Sequence, residues 1–203
     1  MPALIEQLDL ARCPYCRVDQ PNLNSVHAVQ TNNFSGDNRR FWKTYKCLRC
    51  GGLVIASSKE ERGPATEIYP PPIMFDEAIP ERARTFLEQA VNSLHAPAGS
   101  VMLSASSVDA MLKAKGYGAG SLYSRIDRAK NDNLITEEMG RWAHAVRLDA
   151  NEQRHADETR ELPTAVDAQR SINFVLALGH LLFVLPQRVE NGLKDSEDRL
   201  EQL

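Results

Sequence analysis

Outside two short pairs the 203 residues contain no cysteine; the four present are Cys13, Cys16, Cys47 and Cys50. Thiol chemistry is therefore confined to the first quarter of the chain. Long hydrophobic runs are missing as well. The longest apolar stretch, Ile172 to Leu185, carries Asn173 and His180 and is short for a bilayer span, so a buried core helix is expected there. Met1 to Leu10 includes Glu6 and Asp9 and lacks the basic-then-apolar order of a secretory signal. With its thiols free for a metal, the chain is expected in a reducing cytoplasm, with no membrane partner. Internal repeats and low-complexity runs are absent. Neither sign of charge dominates: 24 Lys and Arg against 27 Asp and Glu leave a net charge of −3, which excludes a molecule-wide polyanion-binding surface. The remainder is ordinary for a globular protein, 42% hydrophobic and 25% charged, with length for one good core and a small satellite module.

The cysteines stand as Cys13-Pro14-Tyr15-Cys16 and Cys47-Leu48-Arg49-Cys50, followed by Gly51. Each pair is a tight turn that aims two sulfurs at one point, and two such knuckles complete a tetrahedral thiolate cage with no open position. The spacing predicts a zinc ribbon with Cys13, Cys16, Cys47 and Cys50 as ligands of a structural Zn2+. A pair of disulfides suits an exported protein better, and thiolate cages also suit iron. A closed cage holds structure together, so any catalysis is sought elsewhere in the chain.

Residues 1–57 hold seven Lys and Arg against four acids, and the rest of the chain seventeen against twenty-three. Such a basic ribbon, with Tyr15, Phe34, Phe41, Trp42 and Tyr45, suits nucleic-acid contact. A second reading competes with it. Four thiolates around one zinc carry net negative charge, and Arg12, Arg17, Lys46 and Arg49 flank the cysteines and can neutralise the cage while the aromatics build a small core.

Between the knuckles, Ser25–Val29 and Phe41–Tyr45 favour strands around the turn-rich Asn32–Asn38, and Leu53–Ala56 supplies a third strand. From Ser57 to Pro72 the composition turns to Lys, Glu, Gly and Pro, and Pro70-Pro71-Pro72 forbids helix. The expected organisation is a zinc-ribbon module over 1–57, a proline-containing linker over 58–75 and a helical bundle over 76–203 with a polar C-terminal tail. Within the bundle, apolar residues recur at helical spacing over Arg82–Leu94 and Val101–Leu112. Gly116–Gly120 and Asn131-Asp132-Asn133 bound a short helix at Leu122–Ala129. Thr136 caps a long amphipathic helix that reaches toward His155, and Thr164 with Asp167 resembles a capping box that opens the last helix. Five helices with short connections predict a mainly α protein, an antiparallel bundle preceded by a small β ribbon.

On the helix through Arg141–His155, Met139, Trp142, Ala143, Val146 and Ala150 form the core face. Arg147, Asn151 and His155 follow at intervals of four along its edge, and His144 falls on the same stripe. A cation that grips phosphate, an amide that orients and an imidazole that moves a proton near neutral pH are the parts phosphodiester chemistry uses. The same spacing also describes a solvated or interhelical edge, where Arg and His bond carbonyls or acids such as Asp149 and Glu152.

The order of these segments resembles a known family. A CxxC ribbon, a proline-bearing linker and a bundle are followed by Ala143, His144, Arg147, Asn151 and His155, then by Phe183, Leu185 and Pro186. Over residues 76–186 this is similar to the bacterial family named domain of unknown function 4145, a relative of the all-helical HEPN superfamily. The resemblance implies a HEPN-like bundle, a homodimer and a place in prokaryotic defence or restriction. HEPN ribonucleases cut RNA without metal by driving a ribose 2′-OH onto the adjacent phosphate. Carried over, His155 is the general acid and base, Arg147 the phosphate clamp and Asn151 the orienting group. Seven residues separate Arg147 from His155, a longer interval than HEPN nucleases usually keep. Ala150 stands where the family usually has glycine, and Ser104-Ala105-Ser106-Ser107 occupies the part of the second helix where a basic residue is expected.

The functional expectation is engagement of RNA or a nucleotide through Arg147, Asn151 and His155, extending to metal-independent RNA cleavage. The alternative is a non-catalytic dimeric adaptor whose ribbon docks a protein or nucleic-acid partner.

Overall fold

The computed structural model describes residues 1–73, 75–155 and 161–201, and only the backbone of His155, Leu200 and Glu201. The chain divides into two compact units, Met1–Met74 and Phe75–Leu203.

The first unit is an antiparallel meander of β1 (Leu23–Thr31), β2 (Arg40–Cys47), β3 (Leu53–Ser58) and β4 (Glu67–Tyr69), in that order across the sheet. Only one face is covered, so the side chains alternate. Tyr45, Val54 and Ala56 are fully buried while Leu53 and Ile55 between them are exposed. The cover is the N-terminal segment. Its Leu4 and Leu8 are fully buried, Leu8 N–H donates to the Leu23 carbonyl at 3.0 Å, and Ser25 N–H donates to the Glu6 carbonyl at 2.8 Å. The Tyr45 hydroxyl donates to the Ile5 carbonyl at 2.9 Å, which satisfies the one polar atom of the largest core side chain. The register of β1 against β2 slips between Ser25 and His27, a bulge that places Val26 out of the ladder.

The fourth strand corrects the expectation of a linker over 58–75. Thr66 N–H donates to the Ser57 carbonyl at 2.7 Å, and the ladder from Ile55–Tyr69 to Ser57–Glu67 brings residues 66–69 back onto β3. Ala65 is buried in the same core. The prolines stop the ladder only after Tyr69, because a residue without N–H cannot continue it.

The second unit is helical: α1 (Glu81–Asn92), α2 (Pro97–Ala114), α3 (Leu122–Asn131), α4 (Glu137–His155), α5 (Ala165–Gly179) and α6 (Leu185–Glu201), with a π-helical segment at His180–Val184 joining the last two. Caps follow the sequence. The Ser121 hydroxyl accepts from Ser124 N–H at 3.3 Å, the Thr136 hydroxyl from Met139 N–H at 3.2 Å, and Thr164 and Asp167 form a complete capping box. Ala83, Leu87, Val108, Met111, Phe174 and Leu178 are central members of the core. Along α2 the serines are structural. Ser100 and Ser107 are fully buried and donate to the Ala90 and Ala83 carbonyls of α1 at 2.8 and 2.7 Å, an approach that small residues on both helices allow. Gly179 serves the same purpose on α5, since a Cβ there would lie 2.8 Å from Ile79 Cδ1.

The polar tail is a helix through Glu201 instead of a frayed end. Pro186 is accommodated by the wide turn before it: in the π segment Leu185 N–H reaches back to the His180 carbonyl, so the ladder is already displaced where proline lacks its donor. By length and composition alone the continuous helix Ala165–Arg199, whose most apolar 18-residue window has a mean hydropathy of 1.5, could cross a membrane. Within its apolar half Ile172, Phe174, Val175 and Leu178 are buried in the helical core, while Val166 and Leu176 are exposed.

Candidate functional site

The knuckles of the first unit have matching backbones. In the first, Arg17 N–H donates to the Cys13 carbonyl and Cys13 N–H to the Val18 carbonyl, both at 3.1 Å. In the second, Gly51 N–H donates to the Cys47 carbonyl at 2.8 Å and Cys47 N–H to the Gly52 carbonyl at 2.9 Å. The residue after each second cysteine is left-handed, Arg17 at φ 58° and Gly51 at φ 75°. That conformation costs glycine little and arginine more. Arg12 helps hold the first turn, donating to the Arg17 carbonyl at 3.2 Å and pairing with Asp19 at 3.5 Å.

All four Sγ atoms lie within 4.8 Å of one another, and Cys13 and Cys50 stand 3.9 Å apart. Four sulfurs bound tetrahedrally at about 2.3 Å from one metal stand about 3.8 Å apart, so the donor set could hold a metal ion. The cysteines are free, and the 3.9 Å separation is far beyond the roughly 2.0 Å of a disulfide. Burial pushes the Cys13 thiol up to about 12. At Cys47 burial acts the same way but is outweighed by the N–H groups of Cys50 and Arg49, and the thiol falls to about 7.

The second unit carries a cleft of about 850 Å³ between α1, α2, α3 and α4. Arg147 and Asn151 both line it, joined by Arg82, Lys113, Arg125 and Arg154. Among the described residues Asp109 is its one carboxylate, salt-bridged to Arg125 and, at 2.6 Å, to Lys113. Arg125 is buried and its other terminal nitrogen donates to the Gly118 carbonyl at 3.0 Å. Arg147 is half-buried with its guanidinium carbon 5.3 Å from the centre of the Tyr123 ring. Its Nε is buried without a hydrogen-bond partner. Among the described residues Arg147, like Arg82 and Arg154, makes no ion pair. Phe86, Leu122 and Pro80 add apolar wall.

The sequence-predicted residues separate here. Arg147 and Asn151 meet in the cleft. His144 does not line it: its Nε2 lies 3.1 Å from Asp127 Oδ1 and its ring 4.8 Å from the Tyr123 ring, so it stands behind the tyrosine. The hydrogen bond from His144, joined by one from Tyr123, holds the Asp127 carboxyl below its usual range. The helix stays regular through His155, as the stripe requires, while the His155 side chain lies outside the described residues. Trp142 on the expected core face is 38% exposed and packs its ring 5.1 Å from Phe174.

Sequence reasoning missed Arg82, Asp109, Lys113, Arg125 and Arg154. Arg154 was within reach, since it follows Arg147 by seven and shares its face. Lys113 is the cation of the second helix, two turns beyond the serines.

Fold and site together define a mainly helical protein with a four-thiol cage on a small antiparallel sheet and a cationic cleft among its helices. The family model described as Domain of unknown function (DUF4145) matches residues 83–199, more than half of the chain, and the protein belongs to that family. No curated protein and no solved structure matches it.

Proposed function

We propose that the helical unit engages RNA or a nucleotide, with Arg147 and Asn151 as contacts and the surrounding cleft as the seat. One observation carries the reading: Arg82, Lys113, Arg125, Arg147 and Arg154 face one cleft that holds a single carboxylate, and Arg147 is left without a counter-ion among the described residues. A buried-edge role for Arg147 would give it a carboxylate partner; a phosphate is the group its planar fork matches. On the HEPN-like reading, RNA cleavage without metal would use Arg147 to hold the phosphate, Asn151 to orient and His155 to move the proton. The test is RNA cleavage by the metal-loaded protein in buffer without added divalent cation, beside His155→Ala. Products ending in 2′,3′-cyclic phosphate and lost in the variant support cleavage; no binding and no cleavage by a folded protein sinks the whole reading.

Zinc is the metal we propose for the cage. Four sulfurs within 4.8 Å of one another suit it, and its role is to hold the sheet. The adaptor reading has an observation of its own: Leu185, Val189 and Leu193 form an exposed apolar stripe on α6, a surface on which a homodimer or a protein partner could seat.

A further inference from the structure

Charge is distributed in the helical unit in a way that discriminates between a long polyanion and a compact one. Residues 75–203 contain fifteen Lys and Arg and twenty Asp and Glu. The cleft takes five of those cations and one of the acids, which leaves ten cations against nineteen acids outside it. A strand of RNA that runs beyond the cleft meets a unit whose remaining charge is net negative, which disfavours a long phosphate backbone. A ligand whose charge is concentrated within the cleft avoids that cost.

The walls specify the rest of such a ligand. Arg147 and Arg154 sit seven residues apart on α4, about 10 Å along the helix axis, with Asn151 between them. Arg82 faces them from α1 and Lys113 from α2. A chain of phosphates has the length to engage both Arg147 and Arg154 across that span, whereas one phosphate meets only part of it. Phe86 and Leu122 line the same cleft and are only partly buried, so apolar area remains for a flat base. The volume, about 850 Å³, is that of a small-molecule site. Tyr123 is not the base platform, because Arg147 already lies over its ring and His144 packs against it as well.

Resting on the RNA-or-nucleotide reading of this site, we infer that its ligand is a free nucleoside polyphosphate, with the phosphate chain among Arg82, Arg147 and Arg154 and the base against Phe86 and Leu122. Asp109 then has a positioning role. It pairs with both Arg125 and Lys113, which fixes where those two cations stand beside the phosphates.

The experiment is a titration of the full-length, metal-loaded protein with fluorescently labelled adenosine and guanosine triphosphates in buffer without added divalent cation. Unlabelled tri-, di- and monophosphates, inorganic triphosphate and a short unstructured RNA serve as competitors. Expected is competition in the order triphosphate, diphosphate, monophosphate, weaker by about tenfold for each phosphate lost, in line with one charge-assisted contact each. Inorganic triphosphate, with no base for Phe86, competes less well than the nucleotide. Arg147→Ala and the exposed-site variants Arg82→Ala and Arg154→Ala each weaken binding by about tenfold with unchanged helical circular dichroism, while Lys194→Ala on α6 leaves it unchanged. Equal affinity for mono- and triphosphate overturns the inference. RNA that binds in an Arg147-dependent way and is not displaced by triphosphate also overturns it, and leaves the broader reading standing. Binding of neither ligand removes both.

Discussion

The guanidinium of Arg147 lies over the ring of Tyr123 at 5.3 Å, and His144 packs against the same ring at 4.8 Å. Two residues that the helical stripe places side by side are thus separated by a tyrosine from the next helix. Arg147 faces the cleft and His144 backs the wall. His144 is itself held from behind, its Nε2 3.1 Å from Asp127 Oδ1, so the ring that backs Tyr123 is anchored on its far side.

Arg147→Lys is expected to recover little of what Arg147→Ala loses. The ammonium keeps the charge but neither stacks on Tyr123 as a plane nor offers two parallel donors. Triphosphate titration of the two variants side by side gives the comparison, and full recovery by lysine would show that charge alone matters.

Tyr123→Phe tests the support. It keeps the ring under Arg147 and removes only the hydroxyl that helps hold the Asp127 carboxyl low, so ligand affinity is expected to change by no more than about twofold to fivefold. Tyr123→Leu removes the ring as well, and its affinity is expected to approach that of Arg147→Ala. Binding by Tyr123→Leu at the parent level would separate the stacking from function.

Metal removal should act on the first unit alone. A chelator, or Cys13→Ser, is expected to unfold residues 1–74, where the cage closes onto the buried Tyr45 and Val54 core, and to leave the helical signal of residues 75–203 in place. Circular dichroism combined with proton NMR of the Tyr45 ring reports both halves. Loss of the helical signal together with the sheet would contradict this separation. Zinc content by atomic emission, at one ion per chain, checks the identity of the metal.

At Gly179 a side chain has no room. Gly179→Ala places Cβ 2.8 Å from Ile79 Cδ1 and 3.1 Å from Met111 Cε, and an overpacked core costs about 1–3 kcal/mol. Ile79→Val removes the nearer methyl, so the double variant is expected to be more stable than the sum of the two single changes predicts. Additive losses in urea melts would place the strain elsewhere.

Acid should weaken the start of α5. Asp167 is held below its usual range by the Thr164 hydroxyl and then by the Thr164 N–H, so its folded pKa lies under its unfolded one. The stability it contributes is present above an unfolded pKa of about 3.9 and is lost as pH falls through the lower folded value. Thr164→Ala is expected to cost about 1 kcal/mol at neutral pH, and the gap between variant and parent should narrow as pH falls through that lower folded value, leaving the share of the Asp167 N–H cap bond. A gap that stays constant from neutral pH down to that range would mean that the carboxylate is not what the cap holds.

The local devices were legible because their causes are local. Two CxxC pairs foretell two matching turns, since a knuckle is decided within six residues, and Thr164 with Asp167 spells a capping box without help from anything distant. The apolar spacing of α1 and α2 foretold which side is buried. Pro70 to Pro72 looked like the heart of a linker, yet β4 had already formed before them, because pairing with β3 depends on a partner strand ten residues away that proline content does not reveal. Pro186 likewise does not end its helix: the π segment before it has already displaced the ladder, which proline content does not reveal.

The sequence by itself determined that four sulfurs meet, that the chain beyond the ribbon and its prolines is helical and that Arg147 and Asn151 share a face. Only the tertiary structure decided that Arg82, Lys113, Arg125 and Arg154 join them, and that His144 does not. Helical spacing fixes neighbours on one helix, whereas a cleft is made by whichever faces of several helices the core leaves uncovered. That choice is made by the small residues Ser100, Ser107 and Gly179, which set how closely the helices approach.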